Sequence, residues 1–310
     1  MELVWVPVTL VASAAQVARN AMQRGLIEAI GTVGATQVRF LYGLPFAALF
    51  LGLVLAATGE GLPRPGPGFV PYLAAGAAAQ ILATALMLAA MRERSFSVVT
   101  AVVKTEPVQV ALFGLAVLGD PLSPLALAAI LVATLGVVLA SIRAPGDLVS
   151  AGAGPILLGL LAAALFALSA IALRGAILSL ATGGVLARAS ATLVLSLALQ
   201  SAMLVAWMAV LDRPALLGSL AAWRRSLLAG FMGALGSQFW FLGFALTTAA
   251  NVRTLALVEV LMAQAISYRV LAERPGRREV AGIALIVLGV AALLLSQGVP
   301  GSPTPPARAP

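Results

Sequence analysis

The fold is decided by two stretches of the chain. Residues 104–141 read KTEPVQVALFGLAVLGDPLSPLALAAILVATLGVVLAS, and residues 257–294 read LVEVLMAQAISYRVLAERPGRREVAGIALIVLGVAALL. Each is an apolar run with a glutamate near its start, Glu106 in the first and Glu259 in the second, at an offset of 259 − 106 = 153 residues. Leucine- and alanine-rich helices resemble one another by composition alone. A glutamate at a matching place inside each run indicates an internal duplication.

The composition of the whole chain places these runs in a membrane. Of the 310 residues, 61% are hydrophobic and only 10% are charged, and the mean hydropathy is +1.06. A soluble domain uses about 25% charged residues, whereas a membrane-spanning helix needs about 20 mostly apolar residues. Runs of that length predict ten spanning helices, at 3–22, 32–57, 69–90, 96–118, 122–141, 155–178, 184–210, 226–246, 251–271 and 277–296.

The duplication divides the chain into two five-helix repeats. The predicted first repeat is 1–142, the Pro/Gly-rich stretch 143–154 is a linker, and 155–296 is the second repeat, followed by a disordered Pro-rich tail at 297–310. Because five is an odd number, the second repeat enters the membrane in the opposite direction. The predicted fold is an all-α membrane protein of two inverted five-helix repeats around a central cavity.

Charge placement predicts the orientation of the chain and excludes some partners. The net charge is +8, but the arginines stand singly or in pairs at the ends of apolar runs, so we expect no nucleic-acid partner. Arginines concentrate in the loops after odd-numbered helices, which predicts that these loops are cytoplasmic and both termini lie outside. The leading segment carries Glu2 and no basic residue, which is unlike a signal peptide. We expect a multi-pass protein of a bacterial plasma (inner) membrane, with the oligomeric state open.

The residue types that are absent exclude whole classes of chemistry. The chain contains neither cysteine nor histidine, so disulfides and thiolate metal sites are excluded, and we expect no metal and no cofactor. We find no phosphate-binding Gly-Lys loop and no paired-carboxylate motif. The sequence therefore predicts that the protein is not an enzyme.

Lys104 is the strongest candidate for a substrate contact. It is the only lysine in the chain, and it lies about eight residues, roughly 12 Å, into the predicted fourth helix. A cation at that depth costs at least about 2.5–3.5 kcal/mol and needs an anionic partner. Lys104 and Glu106 are about 200° apart around one helix, so the partner comes from another helix, and Glu259 is the candidate. Lys104 either binds a substrate carboxylate or phosphate, or forms an ion pair that opens and closes, or belongs to a permanent pair that joins two helices.

The two glutamates admit two interpretations. Burial disfavours an ionised carboxylate, which suits proton coupling, whereas a nearby Lys104 favours the ionised form. Glu106 and Glu259 are thus either a proton or amine site, with protons as a possible coupling ion, or polar contacts that join helices. Pro107 removes a backbone hydrogen bond to the Val103 carbonyl, so we expect it to kink the fourth helix and act as a hinge.

Further candidates are polar or aromatic side chains within the predicted spans. Each of them is a candidate substrate contact. The alternative interpretation is ordinary packing for the polar and aromatic side chains. For the two arginines, near the start of the second helix of each half, it is a position at the lipid headgroup boundary. The candidates are Gln80, Thr84, Gln238, Trp240, Phe241, Arg39 and Arg188.

In these features the chain resembles the drug/metabolite transporter superfamily, specifically its ten-helix EamA-type members, over residues 1–296. The resemblance rests on an arginine opening helix 2 (VRFLYGLPFA, 38–47), the EPV of helix 4 (106–108) and an acidic residue followed by a Gly-rich helix (GDPLSPLALAAILVATLGVVLA, 119–140). The sequence departs from the family's pattern at two places. Val260 stands in the second half where the first half has Pro107, and Asp120 stands where the family usually has a glutamate.

The resemblance implies export of amino acids, metabolites or drugs, or exchange of sugar derivatives. We expect a secondary transporter that exports small metabolites by alternating access, amino acids above all, including aromatic or apolar ones. A central ammonium and carboxylates complement a zwitterion. An exchanger of anionic sugar derivatives should have several central cations, and the sequence shows only Lys104. A membrane scaffold would not need buried charges, and an intramembrane enzyme would need a nucleophile with a base.

Overall fold

Helices make up nearly all of the structure, a computed structural model that describes residues 3–93, 96–142, 153–271 and 276–297. They are α1 (Trp5–Leu41), α2 (Leu44–Thr58), α3 (Phe69–Glu93), α4 (Phe96–Val103), α5 (Glu106–Phe113), α6 (Pro124–Ser141), α7 (Ala153–Leu178), α8 (Val185–Leu211), α9 (Arg213–Ala221), α10 (Trp223–Leu246), α11 (Ala249–Leu255), α12 (Val258–Leu271) and α13 (Arg277–Gln297). A π-helical turn, Gly114–Leu118, extends α5. Most of the predicted linker and tail, residues 143–152 and 298–310, lies outside the described ranges.

Eight segments of the described chain are long and apolar enough to cross a membrane, which confirms a multi-pass membrane protein. They are Val33–Thr58, Phe69–Ala90, Val98–Leu118, Pro124–Ser141, Ala153–Leu178, Val185–Leu211, Trp223–Leu246 and Arg277–Ser296. Each agrees with a predicted span to within a few residues. The spans predicted at 3–22 and 251–271 are not among them, so the number ten stays a prediction.

The first part of the chain departs from its predicted boundaries. Helix α1 runs from Trp5 to Leu41, so the loop predicted between residues 22 and 32 is mostly helical, and the break expected there is confined to Gly31. The chain departs from helical geometry within α1 at Gly31, whose φ of 71° is open to glycine but strained for other residues. A second break at Tyr42 and Gly43 separates α1 from α2.

Besides the span predicted at 32–57, which is interrupted at Tyr42 and Gly43, two further predicted spans are interrupted where continuous helices are expected. The span predicted at 96–118 is interrupted between α4 and α5 at Lys104 and Thr105, close to the position where Pro107 is expected to kink it. The span predicted at 251–271 is split between α11 and α12 at Ala256 and Leu257. The expectation of an unbroken helix is wrong there. The sequence gives no sign of this break, because neither proline nor glycine stands at it.

The chain divides into two compact units. Unit 1 comprises Met1–Ile81 and Ala172–Thr247, and unit 2 comprises Leu82–Ile171 and Thr248–Pro310. Helices α3 and α7 each contribute one part to either unit. The units therefore cut across the two predicted repeats, and each contains helices from both.

Unit 1 is held together by close approach of small residues. A Cβ on Gly230 of α10 would lie 2.7 Å from the Tyr42 carbonyl group, and one on Gly76 of α3 would lie 2.8 Å from the Leu173 side chain of α7. The loop after α2 is bonded to the end of α7, since Ala181 N donates to the Arg64 carbonyl at 2.9 Å. Small residues at these contacts let helices pack without large side chains between them.

Unit 2 is built around α6 and α13, which pack with their backbones nearly touching. A Cβ on Gly136 would lie 2.7 Å from the Gly282 carbonyl oxygen, and one on Gly289 would lie 2.5 Å from Ala133 N. The start of α6 is fixed by Ser123, whose Oγ accepts a hydrogen bond from Ala126 N at 3.1 Å. This rigid pair shares unit 2 with the interrupted helices α4–α5 and α11–α12.

Candidate functional site

The two interruptions in unit 2 have the same backbone pattern. At the first, Thr105 N bonds to the Val102 carbonyl and Val108 N bonds to the Thr105 carbonyl, at 3.1 and 3.2 Å. At the second, Leu257 N bonds to Thr254 O and Val260 N bonds to Leu257 O, both at 3.1 Å. Each break is thus a short stretch of i→i+3 turns between two helical segments.

The offset between the two helix breaks along the chain is one residue shorter than the offset between Glu106 and Glu259. Helix α5 begins at Glu106 and α12 at Val258, and 258 − 106 = 152. The sequence repeat aligns Glu106 with Glu259 at an offset of 153 residues. The two carboxylates therefore occupy neighbouring places in the first turns of their helices rather than the same place.

Lys104 and Glu259 form an ion pair between the two interrupted helices. Lys104 lies in the first break, and its Nζ is paired with Oε1 of Glu259 in the first turn of α12. Glu259 is the partner that the sequence predicts from the angular separation of Lys104 and Glu106. The Lys104 side chain is 25% exposed and that of Glu259 is 9% exposed, so the pair is largely removed from solvent.

A second ion pair joins the same two interrupted helices, with the cation now on α11 and the anion on α5. Arg253 lies in the last turn of α11, and its Nε is 3.2 Å from Oε1 of Glu106 in the first turn of α5. Their side chains are 18% and 14% exposed. Each interrupted helix thus contributes one cation and one anion. We call Lys104, Glu106, Arg253 and Glu259 the charge quartet.

The breaks explain how four charges are accommodated within apolar segments. A helix carries partial positive charge at its N-terminus and partial negative charge at its C-terminus. The two glutamates lie in first turns, Arg253 lies in a last turn, and Lys104 directly follows the end of α4. Each side chain is therefore at the helix end whose partial charge it complements. An unbroken helix would not provide these ends.

The predicted polar contacts of unit 1 are engaged in hydrogen bonds of their own. Gln200 Nε2 of α8 donates to Gln80 Oε1 of α3. Gln238 Nε2 of α10 donates to the hydroxyl of Ser190 at 2.8 Å. The structure therefore links three transmembrane helices of unit 1 through amide side chains.

The aromatic candidates are buried. Trp240 is 6% exposed and its Nε1 donates to Gln16 Oε1 of α1 at 3.2 Å. Phe241 is also 6% exposed, with its ring centroid 6.5 Å from that of Phe244. Both side chains pack inside unit 1. Thr84 belongs to unit 2 and is half-buried on α3.

The two arginines that the sequence places at similar positions differ in the structure. Arg39 lies in the last turn of α1, with Cζ 5.2 Å from the centroid of the Phe40 ring. Arg188 lies in the first turn of α8, which continues without interruption. Both belong to unit 1, whereas the charge quartet lies in unit 2.

Comparison with known proteins identifies the family. The model of the EamA-like transporter family matches residues 3–142 and matches again over residues 154–295. The chain belongs to this family. Because one family model matches twice, the duplication within this EamA-like transporter is established, in agreement with membership of the drug/metabolite transporter superfamily.

Solved structures support the fold of this EamA-like transporter. One, titled "Crystal structure of protein", is similar over 94% of this chain and 98% of its own, with a TM-score of 0.65 and 16% sequence identity. At that identity the likeness concerns the fold alone. No curated protein matches the chain. The substrate must therefore be argued from the residues of this EamA-like transporter.

One member of the charge quartet, Arg253, is not evident from the sequence. Arg253 stands only three residues into the span predicted at 251–271, where an arginine is indistinguishable from one that marks the membrane boundary. Its signal is its distance of six residues from Glu259 within one apolar run, so that one helix offers both a cation and an anion, as Lys104 and Glu106 do in the first half.

Proposed function

We propose that this EamA-like transporter exports amino acids and that the charge quartet binds the substrate. The observation that carries the proposal is the pair of crossed ion pairs, Lys104 with Glu259 and Arg253 with Glu106, at the breaks of two helices. Each pair offers an ammonium or guanidinium for a carboxylate, and a carboxylate for an amine. An amino acid carries both complementary groups.

The charge balance of the quartet favours a zwitterion over an anion. Breaking a buried ion pair leaves two charges without partners, which costs several kcal/mol. A zwitterion compensates both, because its carboxylate takes the place of the glutamate and its amine takes the place of the cation. An anionic sugar derivative would satisfy the cations and leave Glu106 and Glu259 uncompensated. Exchange of anionic sugars is therefore the less favoured alternative.

Opening and closing of the ion pairs supplies a mechanism for alternating access. In the empty protein the pairs hold the two interrupted helices together, and a bound zwitterion replaces one or both pairs. Pro107, in the first turn of α5, keeps the first break open by lacking the N–H that would continue the helix. We propose that this release lets inverted repeats switch a central site between the two membrane faces.

Protons are the proposed coupling ion. A proton taken up by Glu106 or Glu259 would neutralise the carboxylate and release its cation, so protonation would open an ion pair to the substrate. The proposed setting is the inner membrane of a bacterium, where a proton gradient is available. The proposed preference for aromatic or apolar amino acids rests on Trp240 and Phe241, and further proposed contacts are Gln80, Thr84, Gln238, Arg39 and Arg188.

Transport by purified protein in liposomes tests this proposal. We expect exchange of labelled amino acids across the membrane, faster than in protein-free liposomes and faster than exchange of a labelled sugar phosphate. An imposed pH gradient should drive net accumulation of the amino acid. Exchange of the sugar phosphate without exchange of any amino acid would reverse the choice of substrate class. Amino-acid flux that does not respond to pH would remove protons as the coupling ion.

A further inference from the structure

The short helix α9 lies at the edge of the membrane because it connects two spanning helices directly. It follows the spanning helix α8 after one residue, Asp212, and precedes the spanning helix α10 after one residue, Ala222. Such short connections span only a few ångströms. Helix α9, of nine residues, is therefore confined to the level at which two spans end.

One side of this helix packs against the rest of unit 1. The hydroxyl of Tyr42 donates to the Ser219 carbonyl at 3.0 Å, and the Ser219 side chain is fully buried. Asp212 caps the other end, with Oδ1 accepting from Ala215 N at 3.1 Å. The Tyr42 contact and the burial of Ser219 thus fix which side of α9 faces the protein.

The opposite side exposes large apolar side chains. Leu217 is 65% exposed, Leu220 is 45% exposed, and Trp223 at the start of α10 is 47% exposed. Leucines three residues apart lie on one face of a helix. An apolar face at the level where spans end is suited to the boundary between lipid headgroups and acyl chains, where tryptophan is also enriched.

Exposed arginines flank this apolar face. Arg224 and Arg225 follow Trp223, and the Arg224 guanidinium lies 5.2 Å from the Trp223 ring centroid. Arg213 is exposed at the other end of α9, where its Nε donates to the Ala209 carbonyl at 2.8 Å. Residues 212–225 thus hold three arginines against one carboxylate, that of Asp212, which is engaged as a helix cap.

We propose that α9 and the start of α10, residues 213–225, bind anionic phospholipids, with Arg224 and Arg225 contacting the phosphate headgroups and Leu217, Leu220 and Trp223 contacting the acyl chains. Guanidinium groups bind phosphate through paired hydrogen bonds. Loop arginines also fix the orientation of membrane proteins during insertion. That role requires charge alone, whereas an apolar face held outward between arginines is complementary to a lipid.

Quenching of Trp223 by brominated lipids tests the proposal. Purified protein is reconstituted into two kinds of phosphatidylcholine liposomes. One contains phosphatidylglycerol brominated on its acyl chains, and the other contains phosphatidylcholine brominated in the same way. The Trp223 signal is the difference between wild type and Trp223→Phe. We expect preferential quenching by the brominated phosphatidylglycerol. The variant Arg224→Gln/Arg225→Gln should lose the preference by about five-fold per arginine, which corresponds to about 1 kcal/mol each.

Two matched variants make the result decisive. Arg224→Lys/Arg225→Lys keeps the charge and should retain most of the preference. Arg64→Gln removes an exposed arginine from the loop bonded to residues 179–184, at the other end of α8, and should change nothing. Equal quenching by both brominated lipids in wild type overturns the proposal. So does a preference that survives the double glutamine variant, or one that Arg64→Gln weakens equally.

Discussion

The ion pair between Lys104 and Glu259 makes a quantitative prediction about stability. Two unit charges 4 Å apart at an effective dielectric constant of 20 interact by about 4 kcal/mol. Removing one partner of a buried pair costs about 3–5 kcal/mol. Because the Lys104 side chain is 25% exposed, the lower end applies. We expect about 3 kcal/mol for Lys104→Met and for Glu259→Gln separately.

The double variant separates the interaction from the two substitutions. Lys104→Met/Glu259→Gln leaves neither charge without a partner, so it should be less destabilising than the sum of the single variants. The resulting coupling free energy should be about 2 kcal/mol. Free energies of unfolding are measured for the four proteins by titration of detergent micelles with dodecyl sulfate, followed by helical circular dichroism.

A control cycle sets the scale for this comparison. Lys104→Met is combined with Gly52→Ala, since Gly52 lies on α2 of unit 1 and a Cβ there meets nothing within 4 Å. These two changes should add to within about 0.5 kcal/mol. If the Lys104–Glu259 cycle is equally additive, the ion pair does not hold the interrupted helices together, and the reasoning about the charge quartet is refuted.

The remaining predictions concern the second pair, the packing of unit 2 and the helix break. Arg253→Met should destabilise the protein by about 2–3 kcal/mol and Arg253→Lys by less, as read from the same unfolding titration; equal losses would contradict a charge interaction. Gly289→Ala should cost at least about 2 kcal/mol, because its Cβ would lie 2.5 Å from a backbone nitrogen, whereas Gly52→Ala should be neutral or stabilising by up to about 1 kcal/mol. Pro107→Ala should slow amino-acid exchange with little change in unfolding free energy; an unchanged rate would exclude Pro107 as a hinge.

The positions of the spans were predictable from the sequence because a bilayer imposes a minimum length on apolar runs. The ends of α6, α8 and α13 fall within a few residues of their predictions. The break at Ala256 and Leu257 was not predictable, since its residues are ordinary helix formers. The break lies next to Glu259, which meets Lys104 in a tertiary contact that the sequence around the break does not show.

Part of the candidate site, the pairing of Lys104 with Glu259, was also predictable from the sequence. Helical geometry alone shows that Lys104 needs a partner from another helix, and Glu259 is one of few anions inside an apolar run. Arg253 could not be assigned in the same way, because its partnership with Glu106 depends on the break that follows it. The arrangement of helices into unit 1 and unit 2 was also beyond the sequence, since small residues such as Gly76 permit close packing without specifying the neighbour.

Amino-acid counterflow by variants of Lys104 is the most direct test of the charge quartet as the substrate site. Liposomes with equal amounts of folded wild type, Lys104→Arg and Lys104→Met are loaded with unlabelled amino acid, and uptake of labelled amino acid is followed. We predict at least a ten-fold loss for Lys104→Met and measurable exchange for Lys104→Arg, which keeps a cation opposite Glu259. Equal exchange by wild type and Lys104→Met would contradict the account.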